Sequence, residues 1–360
     1  MSIVNGDMYI WGGMVSDSQM AGNEMHILKL SNTGSLLPQY KCIPALARDG
    51  DDVPGPRAAH TACVVENRIV MYGGFADAST KSAIEEGGRV WSFDPESLQW
   101  SHFDVANAKF PSLCDHAAVV RGNNLIIHGG RVSSNADATT DTWSFDMSSR
   151  TWIELPPMTR AIYSNGMRAS TPPNLAMVDD KLYVISGSAD LNCQIYTLDL
   201  KEDAVREWRS FDFKKPGPRP RKGAGLMPLS TGMGRTYLLF MLGEKDELPN
   251  TGEGAAKSEE KEPEYWSGLW SLQLPLTGAT PANVKDVARD KLGLDSQESK
   301  WAEVEILVEE ETGAMEGKSH PGPRAYFASA GVSGTKVALW GGLNPRNEAQ
   351  GDGWLVELKA

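Results

Sequence analysis

The sequence lacks most of the features that mark common functional classes. It has no run of 18 apolar residues, so we expect no helix that spans a membrane. It has no HExxH, GxSxG, Walker or dinucleotide-binding motif, and these reaction types are therefore not indicated. It enters strand-like sequence at once, without a basic region and an apolar segment, so no secretory signal is expected.

Cysteine is also scarce, and acidic residues outnumber basic ones. The four cysteines form no CxxC pair, and we expect free thiols in a reducing compartment, which favours a cytoplasmic protein; they are Cys42, Cys63, Cys114 and Cys193. The 47 acidic residues exceed the 35 Lys and Arg, and the net charge is −12. Such a chain is a poor binder of nucleic acid or of anionic membranes, and we expect neither as a partner.

What the sequence does contain is a repeat. An apolar run ending in Gly-Gly recurs as MYIWGG, IVMYGG, LIIHGG and VALWGG, and in weaker form as LYVISG and LFMLGE. A segment such as VWSFDP or TWSFDM follows each run. In the stretch 54–100, PGPRAAH opens one apolar strand, a short turn leads to a second, and two more strands carry Trp91 and Trp100. The pattern predicts a four-stranded antiparallel meander that recurs six times.

At these motifs the sequence resembles the kelch-repeat family over essentially its whole length. The resemblance implies an all-β fold, a six-bladed β-propeller. We expect one domain with blades at about 1–48, 49–107, 108–158, 159–213, 214–308 and 309–360. Blade five has a predicted short helical insertion at 280–295, in which Val284, Val287, Ala288 and Leu292 form one apolar face.

The two ends of the chain are irregular in this scheme. The first strand is reduced to residues around Ser2, and the last blade stops after a third strand that starts at Trp354. Either residues upstream of Met1 complete the last blade, or the blade is incomplete, with three strands. In the second case its exposed edge could pair with another chain and form a dimer.

The turns before strand one and between strands two and three should emerge on the same face. Strand one is innermost in a propeller, so its opening residues should ring the mouth of the central channel. Counting back from Gly-Gly aligns His60, His116 and Asn174, and alignment on PGPR adds Lys222 and Phe327. Three residues earlier stand Arg57, Leu113, Thr171, Arg219 and Arg324. Other candidates near the mouth are Asp115, Arg131, Arg168, Glu244, Lys245 and Tyr326.

These residue types suggest proton transfer beside a cationic funnel. We assign His60, His116 and Asp115 as catalytic acid–base groups near neutral pH. A cationic funnel attracts anionic or carbonyl ligands, and we assign the other polar groups to substrate binding: Arg57, Arg131, Arg168, Asn174, Arg219, Lys222, Glu244, Arg324 and Tyr326. The alternative is structural, because Arg-x-x-His openings of kelch repeats in general can bond neighbouring blades and fix turns.

Two metal-dependent groups of kelch-type proteins offer a further comparison. The few histidines do not suggest the copper site of galactose oxidase-like enzymes. The fifth-blade "GE" and the Gly/Ala-rich loop after it resemble nitrile-specifier proteins, whose iron ligands follow Glu-x-x-x-Asp-x-x-x-His. The matching positions here are Glu244, Leu248 and Gly252, and only the first can bind Fe²⁺. We therefore expect no metal and no cofactor. Blades five and six also resemble a fungal group of single-domain kelch proteins.

Two functions follow from this pattern. The first is a small-molecule site at the channel mouth, under a lid formed by 245–264. It would bind a carbonyl- or carboxylate-bearing metabolite or catalyse a metal-free, redox-neutral isomerisation, elimination or cyclisation. The second is a protein–protein interaction scaffold that uses the same loop face. The sequence leaves open whether the chain is an enzyme, because propellers host both classes.

Overall fold

The computed structural model describes residues 1–360 except 31–38, 49, 108–109, 159–171, 187–192, 212, 214–216, 232–233, 246–263, 276–284, 286–288, 290, 292–298, 308–319 and 359–360. Within the described residues the named elements are all strands. No helix in this part of the chain is both long and apolar enough to cross a membrane.

The first three large sheets are antiparallel meanders of four strands, and each strand order follows the chain. Sheet one contains β1 Ser2–Val4, β2 Asp7–Trp11, β5 Met25–Lys29 and β6 Gln39–Ile43. Between β2 and β5 a separate small hairpin forms from β3 Met14–Ser16 and β4 Gln19–Met20. Sheet two contains β7 Thr61–Val65, β8 Arg68–Tyr72, β9 Val90–Asp94 and β10 Gln99–Phe103. Sheet three contains β11 Ala117–Arg121, β12 Asn124–His128, β13 Thr142–Asp146 and β14 Thr151–Glu154.

The later sheets follow the same plan with two departures. Sheet four contains β15 Asn174–Val178, β16 Lys181–Ser186, β17 Gln194–Asp199 and β18 Trp208–Ser210. The short pair β19 Arg221–Lys222 and β22 Glu244–Lys245 flanks sheet five, which contains β20 Gly225–Ser230, β21 Thr236–Met241, β23 Leu269–Gln273 and β24 Trp301–Val304. Sheet six has three strands among the described residues: β25 Ala328–Ser333, β26 Lys336–Trp340 and β27 Gly353–Glu357.

The apolar runs that end in Gly-Gly are the second strands. In β8 the residues Ile69 to Tyr72 are all buried, because this strand lies inside its sheet and is covered on both faces. A strand covered on both faces reads as a continuous apolar run and shows no alternation. The turn before it passes through Glu66 at a positive φ of 54° and joins β7 to β8 in register.

The contacts divide the chain into two compact units. The first comprises Met1–Val184 and Tyr196–Arg209, and the second comprises Ile185–Ile195 and Ser210–Ala360. Within the first unit the opening strands of successive sheets touch, β1 with β7, β7 with β11 and β11 with β15. Within the second unit β20 touches β25 in the same way. Innermost first strands are what the propeller prediction requires.

Aromatic packing between sheets forms the core of the first unit. Trp152 of β14 stacks on Phe110 with ring centroids 3.9 Å apart, and it meets Tyr72 of sheet two edge-on at 5.1 Å. Its indole N–H donates to the carbonyl oxygen of Gly88 at 2.9 Å. The second unit has an aliphatic core between β21 and β26, which includes Leu239, Met241 and Leu339. The fourth-strand tryptophans are therefore packing residues.

The prediction of an all-β, six-bladed fold is confirmed, with each blade represented by one sheet of the described residues. The strands of each sheet fall inside the corresponding predicted segment. The single-domain assignment stays a prediction. The predicted helix at 280–295 lies outside the described residues, apart from three isolated positions.

Replacing Trp152 by Ala should lower the free energy of unfolding by about 3–5 kcal/mol, because it empties a buried aromatic site. Its neighbour Ile153 on the same strand is 53% exposed and provides a matched control. Ile153→Ala should change the stability by less than about 1 kcal/mol. Urea denaturation measures both, and equal losses would contradict the packing role.

Candidate functional site

The segments that precede strand one lie beside the segments that follow Gly-Gly. In the first unit, isolated β-bridges join Ala58 to Phe75 and Cys114 to Arg131. In the second unit, Lys222 pairs with Glu244 and Ala325 with Leu343. Both kinds of loop therefore emerge together in each unit, as predicted. We call the residues before strand one and between strands two and three the loop face of that unit.

Close backbone approach at Gly-Gly explains why this motif recurs. A Cβ on Gly74 would lie 2.6 Å from the carbonyl oxygen of Ala58. A Cβ on Gly243 would lie 3.1 Å from the carbonyl oxygen of Lys222 and 2.8 Å from the Ala224 side chain. Both glycines have positive φ, 96° and 101°. Only glycine meets both demands without strain, so the motif is backbone geometry and not a phosphate loop.

Arg57 is buried and engaged on all sides. Its guanidinium donates to both carboxylate oxygens of Glu86 at 2.7 and 2.8 Å, to Gly73 O at 3.2 Å and to Gly55 O at 3.1 Å. Glu86 also accepts the indole N–H of Trp91 at 3.2 Å. The whole residue is 1% exposed. The geometry does not support the ligand-binding role predicted for Arg57, because its donors already have protein acceptors.

Arg324 repeats this arrangement in the second unit. It donates to both carboxylate oxygens of Asp352 at 2.7 and 3.1 Å, to Gly341 O at 3.0 Å and to Pro321 O. Asp352 accepts the indole N–H of Trp354 at 3.0 Å. This side chain is also 1% exposed. The geometry therefore does not support the predicted substrate-binding role of Arg324, because its donors also have protein acceptors.

The alignment on PGPR was wrong by two residues in blade five. The buried arginine there is Arg221, which donates to Leu242 O and Gly268 O at 2.9 Å, while Arg219 is exposed. The side chain that faces the glycine after strand two is His60 in blade two and Ala224 in blade five, so Ala224, and not Lys222, corresponds to His60. The extra Pro220 and Arg221 in PGPRPRK shift the register by two residues. Gly223, at φ 55°, has the left-handed backbone that precedes strand one in the other blades, and the common register continues from there. Burial lowers the pKa of Arg221 to about 10.

The two histidines assigned to catalysis pack between blades, where His116 is buried and His60 is half-buried. His60 packs edge-on against Trp11 at 5.2 Å, and His116 packs against Tyr72 at 5.4 Å. His116 Nε2 hydrogen-bonds the Thr61 hydroxyl at 2.8 Å. The Nδ1 atoms of both rings have no hydrogen-bond partner among the described residues. Asn174, at the equivalent place in sheet four, is also buried.

Burial keeps these imidazoles neutral. It lowers the pKa of His116 to about 3 and that of His128 to about 4. It also lowers the pKa of His60 well below 6.5, and the nearby N-terminal ammonium, Arg57 and His116 add to this shift. A general base near neutral pH needs a pKa close to the working pH. The environment therefore does not favour the catalytic role predicted for His60 and His116.

Asp115 and Arg131 remain accessible on the loop face of the first unit. The Arg131 guanidinium donates to the Asp115 carboxylate at 2.6 and 2.7 Å, with side chains 23% and 16% exposed. Asp115 has a φ of 54°, like Ala59 at the same position of blade two, and its N–H donates to Ala59 O at 3.0 Å. The structure thus brings these two predicted residues together as an ion pair.

A second polar group lies on the loop face of the second unit. The Tyr326 hydroxyl donates to Glu244 at 2.6 Å, and Tyr326 is 42% exposed. Lys245 pairs with Glu264. Arg168, and the Leu248 and Gly252 positions of the iron-ligand comparison, lie outside the described residues. No group of three or more His, Cys, Asp and Glu side chains within the described ranges has metal-binding geometry.

The first half of the chain matches a protein-family model. The model describes the KLHDC2/KLHL20/DRC7 Kelch-repeats domain, and it matches residues 1–187. The chain belongs to the kelch-repeat family. This kelch protein is 21% identical over 228 residues to Kelch domain-containing protein 3 of Bos taurus, a stretch that covers 61% of the chain and 55% of that protein. It therefore spans about half the length of that curated relative.

Two further comparisons give the same fold. The kelch chain is 25% identical over 194 residues to the Leucine-zipper-like transcriptional regulator 1 homolog of Drosophila melanogaster, covering 52% of the chain and 18% of that protein. The solved structure of YjhT aligns with a TM-score of 0.62 at 14% identity and covers 97% of this chain and 94% of that chain. At this identity the likeness shows the fold alone.

Sequence reasoning missed the partners of the buried arginines. Glu86 and Asp352 lie between Gly-Gly and the third strand, at different distances from the following tryptophan, so no fixed spacing marks them. An acid before each third-strand tryptophan was the available signal. The sequence does not point to Arg221, because the PGPR match in blade five indicates a register that is two residues too early.

Replacing Arg57 by Ala should lower the free energy of unfolding by about 3 kcal/mol, because it leaves the Glu86 carboxylate partly buried without its partner. Arg68 forms a pair with Asp94 at 3.0 Å while 41% exposed, and Arg68→Ala is the matched control with a loss below about 1 kcal/mol. Chemical denaturation measures both. Similar losses in the two variants would show that Arg57 is not a structural clamp.

The buried histidines should make stability depend on pH. Their folded pKa is depressed, so the unfolded chain binds more protons below pH 6.5 and stability falls as the pH drops from 6.5 towards the folded values. The slope is about 1.4 kcal/mol per pH unit for each histidine. For His116→Gln, the loss between pH 7.5 and 5.0 should be about 2 kcal/mol smaller than for the wild type. Ile153→Ala removes no titratable group and should keep the wild-type dependence, and an unchanged slope in His116→Gln would refute the assignment.

Proposed function

We propose that this kelch protein is a protein-interaction scaffold that presents its loop faces to a partner protein. One observation carries the proposal. Four of the groups expected to form a reactive funnel are held inside the fold. Arg57 and Arg324 donate to backbone carbonyls and to carboxylates, and His60 and His116 pack against neighbouring aromatic rings. Groups held in this way maintain the scaffold and are not available to a substrate.

The loop face of the first unit offers the contact surface that such a role needs. Val15 and Val132 are 52% and 50% exposed. A small apolar cluster that includes Phe75 and Cys114 lies beside the Asp115–Arg131 pair, since Cys114 bridges to Arg131. Backbone bonds join the loops of neighbouring blades, such as Ala83 N to Val132 O at 2.9 Å. A rigid face with apolar points and a polar rim is the usual anatomy of a protein interface.

The relatives agree with a modular role. Kelch sequence forms a fraction of much longer proteins, including the Drosophila transcriptional regulator homolog and rat Host cell factor 1, of which the match covers 18% and 6%. The partners of those proteins are not transferred to this chain. Their names support an interaction function in general and no particular partner.

The small-molecule site stays as the second hypothesis, and the accessible Asp115–Arg131 pair favours it. A polar metabolite with a carbonyl or carboxylate could bond to Arg131, and Glu244 with Tyr326 offers a similar place in the second unit. In this hypothesis Asp115 would be the proton-transfer group. Asn174, Lys222 and Arg219 keep their predicted binding roles only here.

Two further predictions belong to the proposal. All four cysteines are free, which suits the reducing cytosol, so we place the protein there. β27 is the outer strand of its three-stranded sheet among the described residues, and its Leu355 is 58% exposed. This supports the predicted pairing of a blade edge with another copy of the chain.

A site-specific photo-crosslinker distinguishes the two functions. Placed at Val132 on the loop face, it should join the protein to a defined partner protein from a lysate of its native cells. Placed at Ile153, which is equally exposed on a fourth strand, it should not. Val132→Glu should lower capture of the same partner at least about tenfold by disrupting an interface core.

Two outcomes would contradict the scaffold. Equal labelling at both positions would indicate non-specific capture. A small molecule that stays bound in native mass spectrometry, is lost in Arg131→Ala and is accompanied by no crosslinked protein would favour the second hypothesis.

A further inference from the structure

A polar cavity of about 230 Å³ lies at the outer strand of sheet two, at the end of the sheet opposite to the loop face. It adjoins the turn between β9 and β10 and the start of β8, whereas the loop face contains the segments before strand one and between strands two and three. At about 30 Å³ per water molecule, the space admits a small polyatomic ion. All of its lining residues are polar or charged: Arg48, Arg68, Asp94, Ser97, Gln99 and Ser101.

Strand register brings four polar side chains of sheet two together. Arg68 begins β8, and its guanidinium donates at 3.0 Å to Asp94, which ends β9. Gln99 stands directly opposite Asp94. Ser101 follows two residues later and stands opposite Ser92. Because residues two apart on a strand share a face, Gln99 and Ser101 lie on the same face of the sheet as Asp94.

Arg48 reaches the cavity from a segment outside the sheet. The Trp100 N–H donates to the carbonyl oxygen of Leu46 at 2.7 Å, and the Arg48 N–H donates to the carbonyl oxygen of Trp100 at 2.8 Å. Ala47 between them forms a parallel bridge with Trp100. The segment is therefore fixed beside β10 like a short additional strand, and it adds a second guanidinium to the cavity that Arg68 lines.

The cavity has more hydrogen-bond donors than protein acceptors. With the described residues, the Arg68 side chain makes one hydrogen bond, to Asp94, and the Arg48 side chain makes none. Each guanidinium carries five N–H donors, so most of them are open to a ligand. Ser92, opposite Ser101, is 1% exposed, and its hydroxyl has no partner among the described residues. The site thus combines two cationic forks with hydroxyl groups that the protein does not use.

The turn between β9 and β10 does not itself need these arginines. Asp94 accepts the backbone N–H of Glu96 at 2.9 Å, and Asp146 accepts that of Ser148 at 2.7 Å in the corresponding turn of sheet three. There the residue opposite Asp146 on the second strand is the uncharged Asn124. An exposed ion pair such as the one in sheet two contributes little to stability. The two arginines therefore supply a positive charge that the blade architecture does not require.

We propose that this cavity binds a phosphate group, of inorganic phosphate or of a phosphate monoester, between the guanidinium groups of Arg48 and Arg68. Two arginines against the single carboxylate of Asp94 leave the cavity positive, on a chain whose net charge is −12. A phosphate monoester has three acceptor oxygens and a charge of about −1.5 to −2 at pH 7. Guanidinium forks match phosphate oxygens in pairs. A carboxylate offers two oxygens, fewer than two forks and a hydroxyl can engage. The site does not depend on the function of the loop face.

The first test titrates the folded full chain with O-phosphoserine, inorganic phosphate and acetate by isothermal titration calorimetry, at physiological ionic strength. We expect the two phosphate compounds to saturate one site per chain. Arg48→Ala and Arg68→Ala should each weaken their binding at least about tenfold, because each removes charge-assisted hydrogen bonds. Arg121 pairs with Asp180 at 2.7 Å outside the cavity, and Arg121→Ala is the matched control that should leave the affinity unchanged.

Comparison of the compounds separates the two sources of the phosphate group. Tighter binding of phosphoserine would assign the site to an ester, and equal affinities would assign it to inorganic phosphate. Three results would overturn the proposal. These are saturation by neither phosphate compound at millimolar concentration, binding of acetate as tight as that of phosphate, and an equal loss of affinity in Arg121→Ala.

The second test predicts a gain of affinity. In Asp94→Asn the side-chain amide oxygen can still accept the Glu96 N–H, so the turn is kept, but the carboxylate that competes for Arg68 is removed. Phosphate should therefore bind roughly threefold more tightly than to the wild type. Melting temperatures check that every variant is folded. An unchanged or weaker affinity in folded Asp94→Asn would show that Arg68 does not hold the ligand and would refute the proposed site.

Discussion

In three sheets of the described structure, a buried guanidinium donates to a carbonyl oxygen at the end of the second strand. Arg57, Arg221 and Arg324 make this contact with Gly73, Leu242 and Gly341. The bond holds the segment before strand one against the end of strand two, and the glycine that follows the accepting residue, Gly74, Gly243 or Gly342, allows the backbones to meet there. Loss of the contact would free both kinds of loop that make up the loop face.

Burying a positive charge costs free energy, and the three sites offset that cost differently. Arg57 and Arg324 each have a forked carboxylate, which supplies two charge-assisted hydrogen bonds in the geometry that guanidinium prefers. Arg221 lies over the rings of Phe240 and Trp266, at 5.3 and 5.2 Å. Sheet three has Leu113 at this position and needs no such compensation. The backbone arrangement therefore persists while the side chains that stabilise it vary.

The same constraint decides where chemistry is available. Residue types typical of catalysis, histidine and arginine, lie at the strand openings, but packing against Trp11 and Tyr72 makes the histidines neutral components of the core. Accessible polar groups are left one residue to the side, at Asp115 and Tyr326, where the left-handed backbone turns the side chain outwards.

The repeat by itself determined the blade number, the strand order and the positions of the buried tryptophans, because apolar periodicity and Gly-Gly report local backbone demands. It also located the loop face, since antiparallel meanders allow one arrangement of their connections. Tertiary structure alone decided the pairing of Arg57 with Glu86, the register of Arg221 and the neutrality of His116. These features depend on distances between residues far apart in the chain and on the exclusion of water. A local sequence pattern reports neither of them.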